Sequence, residues 1–329
     1  MPPLEASSGS RGARRAAPSA RERAIERRHR LRPTAGTGDP SATSGVPATL
    51  RSLDVRPSRR LGQNFLTDPR VAERIASLAD EGGGGGAVLE IGPGLGALTE
   101  RLARSGRALV AVELDHRLAE RVESVLAEVP SARVVRGDIL DQRLDTLLPG
   151  DASVTVVANL PYSITTPAVE WVLAQGTRVR AACLMVQREV AERMTAVPGG
   201  KEFGSLSVFL SLHAEVESLF RVSPGAFYPR PEVDSVVVRV APRPYPGTTA
   251  EERADAESLA RAATGGRRKT IGNALARGLG IDGEAARALL RAADVDPTRR
   301  GESLSVEEWL AVARAWRKGG AVGEGEGER

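Results

Sequence analysis

The amino-acid sequence predicts an α/β fold, in which an open and mostly parallel sheet carries helices on both faces and a small all-helical domain follows. Short β-branched apolar runs, typical of buried strands, are separated by longer stretches, and from about residue 251 the chain becomes helical. The predicted strands are residues 87–91, 108–112, 133–135 and 154–158. Such sheets bind ligands at the carboxyl ends of their strands, so the residues that follow each strand are the candidate site residues.

The positive charge of the chain lies mainly at its N-terminus. The 329 residues carry a formal net charge of +4. Residues 1–58 contain 11 arginines and 5 acids, a net charge of +6, which leaves −2 for the remainder. This segment has almost no aliphatic periodicity, so we expect a disordered, Arg-rich extension that is either an accessory RNA-binding arm or passive. We also expect a disordered tail at residues 319–329, where glycine alternates with glutamate.

The cysteine and histidine content argues against several classes of site. Cys183 is the only cysteine, it lies in an apolar stretch, and the three histidines are scattered along the chain. This pattern predicts no zinc or other metal site and no Cys-His nucleophile. No apolar run approaches the length that spans a membrane, so we expect a soluble, cytoplasmic protein without a membrane partner.

A glycine-rich loop follows the first predicted strand. It reads Gly92-Pro93-Gly94-Leu95-Gly96 and leads into a helical stretch. Glycines let the backbone approach a ligand closely, and a helix N-terminus presents free amide groups. Residue 97 is alanine, so the pattern is G-x-G-x-G and not the dinucleotide pattern G-x-G-x-x-G, which argues against an NAD site.

Acidic residues follow the second and third predicted strands. Glu113 comes directly after the second strand and 21 residues past Gly92. An acid at this place can accept hydrogen bonds from both ribose hydroxyls of a nucleoside cofactor. Asp138 follows the third strand, where it can accept from an adenine amino group.

The fourth predicted strand leads into Asn159-Leu160-Pro161-Tyr162. These residues suit the transfer of an electrophilic group to an exocyclic amine. The side-chain oxygen of Asn159 and the carbonyl of Leu160 can accept the two amine hydrogens, which directs the nitrogen lone pair towards the electrophile. Tyr162 can stack on the base.

Two predicted helices have recognisable starts. Asp68 is an N-cap followed by Pro69 at the first helical position, and Ser305 with Glu308 forms a capping box. The helices of the C-terminal region are predicted over residues 252–262, 268–277, 283–292 and 305–317. Arg267-Arg268-Lys269, at the start of the second of these, is a predicted phosphate-binding patch.

A set of motifs occurs in an order typical of one enzyme family. The motifs are residues 61–66 (LGQNFL), 90–94 (EIGPG), 113–115 (ELD), Asp138, 159–162 (NLPY), 187–190 (QREV), 227–235 (FYPRPEVDS) and 267–270 (RRKT). With this set, the chain resembles the ribosomal RNA adenine dimethyltransferases, and specifically their bacterial small-subunit branch, over residues 59–318.

The resemblance implies a Rossmann-like methyltransferase domain at residues 59–245, a helical RNA-binding domain at residues 250–318, and S-adenosylmethionine (SAM) as the cofactor. The implied cofactor-binding residues are Asn64, Leu66, Gly92, Glu113, Asp138 and Asn159. The expected catalytic residues are Asn159, Leu160, Tyr162 and Phe227, where Phe227 is implied to sandwich the flipped adenine against Tyr162. The expected RNA contacts are Arg188, Arg267, Arg268 and Lys269.

The chain departs from the family pattern at a few positions. Residue 163 is serine where asparagine is usual, residue 272 is glycine where a basic residue is common, and Phe203-Gly204-Ser205 replaces a more usual Tyr-Gly-Arg. We expect these changes to spare catalysis and to weaken the grip on RNA.

The expected function is SAM-dependent dimethylation of the N6 amines of two adjacent adenosines near the 3′ end of 16S ribosomal RNA, by a monomer acting on a 30S assembly intermediate. Two alternatives stay open. One is the same chemistry on 23S ribosomal RNA, as in macrolide-resistance methylases. The other is a ribosome-assembly factor that binds RNA without needing turnover. A nucleoside-cofactor oxidoreductase is a more distant alternative.

Overall fold

A computed structural model describes residues 40–57, 63–80, 86–264 and 269–323, except the side chains of residues 40–44, 80, 162, 264 and 320–323. The strands are β1 Phe65–Leu66, β2 Ala87–Ile91, β3 Leu109–Glu113, β4 Ala132–Arg136, β5 Val154–Asn159, β6 Val179–Gln187, β7 Ala214–Val222, β8 Phe227–Tyr228 and β9 Ser235–Pro242. The α-helices are α1 Pro40–Ser52, α2 Pro69–Asp80, α3 Thr99–Ala103, α4 His116–Val125, α5 Leu144–Leu147, α6 Thr165–Ala174, α7 Arg188–Met194, α8 Ser205–His213, α9 Ala250–Thr264, α10 Ile271–Leu279, α11 Gly283–Ala292 and α12 Val306–Gly323.

Seven strands form one sheet in the order β4-β3-β2-β5-β6-β9-β7. The first five of these are parallel, and β9 pairs antiparallel with both β6 and β7. The predicted α/β class and the four predicted strands are therefore confirmed. The strand order reverses between β2 and β5, and the carboxyl ends of these strands border the crevice where such sheets bind ligands.

Both faces of the sheet are covered at its centre, as shown by the burial of every residue of β2 and β3. One face contributes Leu89 and Ile91 to a core with α6. The opposite face contributes Val88 and packs against Ile75 of α2. The alternation along β2 places Glu90 on the same face as Val88, so a carboxyl group is buried there.

The four C-terminal helices, α9 to α12, share a core with α8. Val208 and Leu212 of α8 pack with Leu259, Leu275 and other residues of these helices. Phe209 of the same helix belongs to the sheet core. Residues 243–249 connect β9 to α9, where the domain boundary was predicted, and the division into two domains stays a prediction.

The predicted helix starts are confirmed. The Asp68 side chain accepts from the backbone N–H of Arg70 at 2.9 Å, and α2 begins at Pro69. The Ser305 hydroxyl accepts from the Glu308 N–H at 3.2 Å, and the Glu308 carboxylate accepts from the Ser305 N–H at 2.7 Å. These reciprocal bonds are the predicted capping box.

Two predictions of disorder are wrong in part. Residues 40–52 of the supposed N-terminal extension form α1, and the side chains of Leu50 and Val55 are buried. Helix α12 continues to Gly323, past the predicted start of the C-terminal tail at residue 319. The N-terminal prediction failed because it was based on the average composition of residues 1–58. The arginines that precede residue 40 dominate this average, although the segment that follows contains apolar residues. Residues 1–39, 58–62 and 324–329 lie outside the described residues.

Among the described residues, no helix combines the length and the apolar character that a membrane crossing requires.

Candidate active site

A pocket lies at the carboxyl ends of the parallel strands, where the strand order reverses. Its wall brings together the strand tips, the glycine loop and the two-stranded pair of β1 and β8. The predicted site residues that line it are Asn64, Leu66, Gly92, Glu113, Asn159, Leu160 and Phe227. These residues span 164 positions of the sequence, from 64 to 227. The structure therefore gathers most of the predicted cofactor and catalytic residues in one place.

The glycine loop after β2 has the backbone geometry that glycine favours. Gly92 and Gly94 have φ angles of +66° and +60°. A Cβ atom on Gly94 would lie 3.1 Å from the ring of Phe65, so a larger residue would be both strained and crowded. This turn directs the N–H of Gly94 to the carboxylate of Glu113 at 3.0 Å.

Glu113 ends β3 and is buried, with 7% of its surface exposed. One carboxylate oxygen accepts from the N–H of Gly94, and the other accepts from the N–H of Asp115 at 3.0 Å. Burial raises the pKa of Glu113, while these backbone donors oppose the rise. Each carboxylate oxygen has two lone pairs, so a hydroxyl of a ligand can still bind there.

Asn159, at the end of β5, is held by the segment that precedes β1. Its side-chain Nδ2 donates to the carbonyl of Asn64 at 2.9 Å. Because the amino group is used in this way, the amide oxygen is the acceptor that remains for a ligand in the pocket. The adjacent Leu160 is buried and its N–H donates to the carbonyl of Met185 at 3.2 Å.

Phe227 reaches the pocket through a pairing between distant segments. In the antiparallel pair β1 and β8, Leu66 lies opposite Phe227. The N–H and the hydroxyl of Thr67 both donate to the carbonyl of Ala226, at 2.8 Å and 3.0 Å. The Phe227 side chain is buried and lines the pocket. The side chain of Tyr162, its expected stacking partner, lies outside the described residues.

Asp138 follows β4, two strands away from β2, and does not line the pocket as the described residues form it. Its carboxylate instead accepts from the N–H of Leu140 at 2.9 Å and caps the short 3-10 turn Ile139–Asp141. The N–H of Gly137 donates to the Glu113 carbonyl at 2.9 Å, which joins the ends of β3 and β4. The predicted contact of Asp138 with adenine stays a prediction.

Glu90 is a pocket residue that the pattern of residues after the strands did not predict. It lies inside β2, is fully buried, and lines the pocket. Both of its carboxylate oxygens are buried without a hydrogen bond of good geometry among the described residues, and the Thr99 hydroxyl is a nearby donor. Burial raises the pKa of Glu90 to about 8, helped by the charge of Glu113 and opposed by Thr99. The available signal was an acid in the middle of an apolar strand.

Two exposed leucines lie close in sequence to the predicted acids Glu113 and Asp138. Leu114 directly follows Glu113 and is 59% exposed, and Leu140 follows Asp138 by two residues and is 37% exposed. Single exposed apolar side chains are normal on protein surfaces, so the exposure of these two leucines does not by itself indicate a binding surface.

The predicted RNA contacts are described only in part. Arg188 starts α7, is exposed, and forms an ion pair with Glu192 at 3.7 Å. Lys269 is exposed, whereas Arg267 and Arg268 lie outside the described residues. Gly272 is buried, and a Cβ atom there would lie 3.3 Å from Pro297. A glycine at this position therefore allows α10 to pack closely against Pro297.

Comparison with known proteins supports one family. Residues 56–317 match the family model of ribosomal RNA adenine dimethylase. The chain is 41% identical over 285 residues to the ribosomal RNA small subunit methyltransferase A of Moorella thermoacetica, which covers 84% of this chain and 98% of that relative.

Solved structures agree with this match. A dimethyladenosine transferase from Plasmodium falciparum has the same fold, with a TM-score of 0.64, 22% identity, and coverage of 78% of this chain and 98% of its own. The 23S rRNA methyltransferase ErmE is 29% identical with a TM-score of 0.57, and covers 77% of this chain and 99% of its own. The resemblance noted in the sequence is thus confirmed, and the chain belongs to the ribosomal RNA adenine dimethylase family.

Proposed function

We propose that this chain transfers methyl groups from SAM to the N6 amines of two adjacent adenosines near the 3′ end of small-subunit ribosomal RNA, within a 30S particle that is being assembled. The observation that carries the proposal is the bond from Asn159 Nδ2 to the Asn64 carbonyl, inside a pocket also lined by Glu113 and Phe227. The site of action would be the cytoplasm, where such particles assemble. A monomeric enzyme stays a prediction.

The pocket fits a nucleoside that carries a positive charge. Glu113 offers acceptors for the ribose hydroxyls, and the glycine loop allows close approach at Gly92. The unpartnered carboxylate of Glu90 suits a cationic group, because a buried acid without a partner is otherwise costly. SAM supplies a methyl group on a positively charged sulfur. Asn64 and Leu66 would complete its binding site, and Asp138 would contact its adenine.

The residues around Asn159 would prepare the amine of the target base. An aromatic amine is a weak nucleophile, because its lone pair is delocalised into the ring. Acceptance of the two amine hydrogens by the Asn159 side-chain oxygen and the Leu160 carbonyl would localise that lone pair. Phe227 would stack on the extruded adenine together with Tyr162. After the first transfer the methylated nitrogen is cationic and releases one proton. One hydrogen then remains, so one of the two acceptors can still orient the amine for the second transfer.

We favour small-subunit RNA over large-subunit RNA as the proposed substrate. Residue 160 is leucine where the large-subunit enzymes typically have isoleucine. The relative from Moorella thermoacetica, named for the small subunit, shares 41% of its residues with this chain, against 29% for ErmE. The basic patch at Arg267, Arg268 and Lys269 and the exposed Arg188 are the proposed contacts with RNA phosphates.

The test is methylation of separated ribosomal subunits with labelled SAM, followed by mapping of dimethyladenosine. We expect label in immature small subunits and little in large subunits. An Asn159→Ala variant should lose about 100-fold or more in rate while it still binds the particle, because misplacement of the amine disables transfer. Ser124→Ala is the control, since in the described part of the chain this exposed hydroxyl donates to the Glu120 carbonyl of its own helix, α4. Label confined to large subunits would overturn the proposal, and unchanged biological output of Asn159→Ala would favour the RNA-binding alternative.

A further inference from the structure

Helix α1 packs on the outside of the pocket wall. Leu50 and Val55 are 2% and 7% exposed and form an apolar cluster with Phe65 and Leu118. Leu95 of the glycine loop packs against this cluster, as do Val46, Leu53 and Tyr228. The helix, Pro40–Ser52, precedes residue 56, where the match to the family model begins. These contacts therefore connect a segment outside the family match to four different elements of the site.

The end of α1 is shaped so that Val55 folds back on the helix. The N–H of Asp54 donates to the Arg51 carbonyl at 3.0 Å, and the N–H of Val55 donates to the Leu50 carbonyl at 2.8 Å. Asp54 has a φ of +50°, in the left-handed region. This pair of bonds around a left-handed residue is a Schellman motif, which typically brings two apolar side chains into contact. Here those side chains are the buried Leu50 and Val55.

A polar contact ties the same turn to α4. The Arg117 side chain donates to the carbonyl of Asp54 and pairs with its carboxylate at 2.8 Å. Both side chains are more than half exposed, at 53% and 81%. Exposed pairs contribute about 1 kcal/mol or less, so the apolar contacts of Leu50 and Val55 carry most of the attachment.

The wall between α1 and the pocket is one side chain thick. Phe65, Leu95 and Leu118 line the pocket and also belong to, or pack on, the α1 cluster. Phe65 is in addition the side chain against which Gly94 packs. Gly94 in turn holds Glu113, the residue proposed to bind the ribose. A loss of packing at Leu50 would thus reach the glycine loop and Glu113 through Phe65.

We propose that Leu50 and Val55 are positioning residues of the cofactor pocket, which hold Phe65, Leu95 and Leu118 in place from behind. The inference rests on the proposed function, because it assumes that the pocket binds SAM. It gives residues 46–55 a role in cofactor affinity and none in the transfer step. The side chains of Leu50 and Val55 do not line the pocket, unlike those of Asn159 and Glu113.

The test compares full-length variants by calorimetric titration with SAM and with S-adenosylhomocysteine. We expect Leu50→Ala to raise the Kd about tenfold, which corresponds to about 1.4 kcal/mol. Leu50→Met should restore affinity because it refills the same volume. Val55→Ala, a smaller truncation, should act in the same direction. Asp54→Gly is the matched control, since glycine keeps the left-handed turn and the apolar contacts, and its Kd should stay within about twofold of wild type.

A second measurement separates positioning from general stabilisation. At saturating SAM, Leu50→Ala should retain the wild-type kcat, with the change confined to the KM for SAM. A lower thermal midpoint with unchanged Kd would show a merely structural role and overturn the inference, as would a loss of kcat at unchanged Kd. If wild type itself gives no binding heat, the cofactor assignment fails and this inference with it. If wild type binds and Leu50→Ala binds equally well, only the inference fails.

Discussion

At the scale of single residues, the site is distinguished by two buried acids that differ in their partners. Both carboxylate oxygens of Glu113 accept backbone hydrogen bonds, whereas those of Glu90 accept none among the described residues. Burial disfavours the charged form of a carboxyl group and the nearby charge of Glu113 adds to this effect, which is why the pKa of Glu90 rises to about 8 although the Thr99 hydroxyl opposes the rise. Without a ligand, Glu90 should therefore hold a proton near neutral pH.

This proton makes the stability of the ligand-free protein depend on pH. Between a pKa near 4.5 for the unfolded state and about 8 for the folded state, the folded state holds more protons, so stability should fall as pH rises through this window. The loss is at most about 5 kcal/mol. Glu90→Gln should remove it, and this variant should be more stable than wild type at pH 9 but not at pH 4. Urea unfolding at several pH values measures the effect.

The control for this prediction is Glu128→Gln, which changes an exposed glutamate and should leave the pH profile unchanged. If the difference between Glu90→Gln and wild type does not vary with pH, the assignment of a buried proton to Glu90 is wrong.

At the scale of elements, close packing of helices depends on where glycine stands. Gly278 of α10 faces the backbone of α9, and a Cβ atom there would lie 2.1 Å from the carbonyl oxygen of Ala262. A Cβ atom on Gly319 of α12, which is also helical, would have no described atom within 4 Å apart from its chain neighbours and the backbone of its own helix. The same residue type is thus required at one site and dispensable at the other.

Substitution by alanine should have opposite effects at the two glycines. Gly278→Ala should destabilise the protein by about 1–3 kcal/mol, because α9 and α10 must separate. Gly319→Ala should stabilise it by up to about 1 kcal/mol, because alanine restricts the unfolded chain and favours helix. Chemical denaturation of both variants gives the comparison. Equal effects of the same sign would contradict this account of the packing.

At the scale of the whole molecule, α8 couples the sheet to the C-terminal helices. Its Phe209 belongs to the core of the sheet, while Val208 and Leu212 belong to the core of α9 to α12. We therefore expect α8 to couple the unfolding of the two cores. The division at residues 245–250, predicted as a domain boundary, is therefore crossed by shared packing.

We expect a single cooperative unfolding transition for the described part of the chain. Leu212→Ala should shift that whole transition, by about 2–5 kcal/mol, because its cavity weakens the shared core. Differential scanning calorimetry of wild type and variant tests this. Two separable transitions, with only one of them moved by Leu212→Ala, would show that the two parts unfold independently.

Local chemistry explains which features could be predicted. Strands β2 to β5, the glycine loop, the proline start of α2 and the Ser305–Glu308 capping box each depend on neighbours in the sequence, such as φ preferences, caps and alternating apolar residues. Motif order then indicated the family and most of the pocket residues. These features needed no knowledge of which distant segments meet.

The features that only the tertiary structure decided involve residues far apart in the chain. Phe227 enters the pocket because β8 pairs with β1, about 160 residues earlier. Helix α1 is held in place because Leu50 and Val55 pack with Phe65 and Leu118. The protonation of Glu90 likewise follows from burial, which no local pattern states. The sequence alone determined local conformation and the identity of the reactive groups. Their environment was set by long-range packing, because burial and pairing energies depend on contacts that form only when the chain has folded.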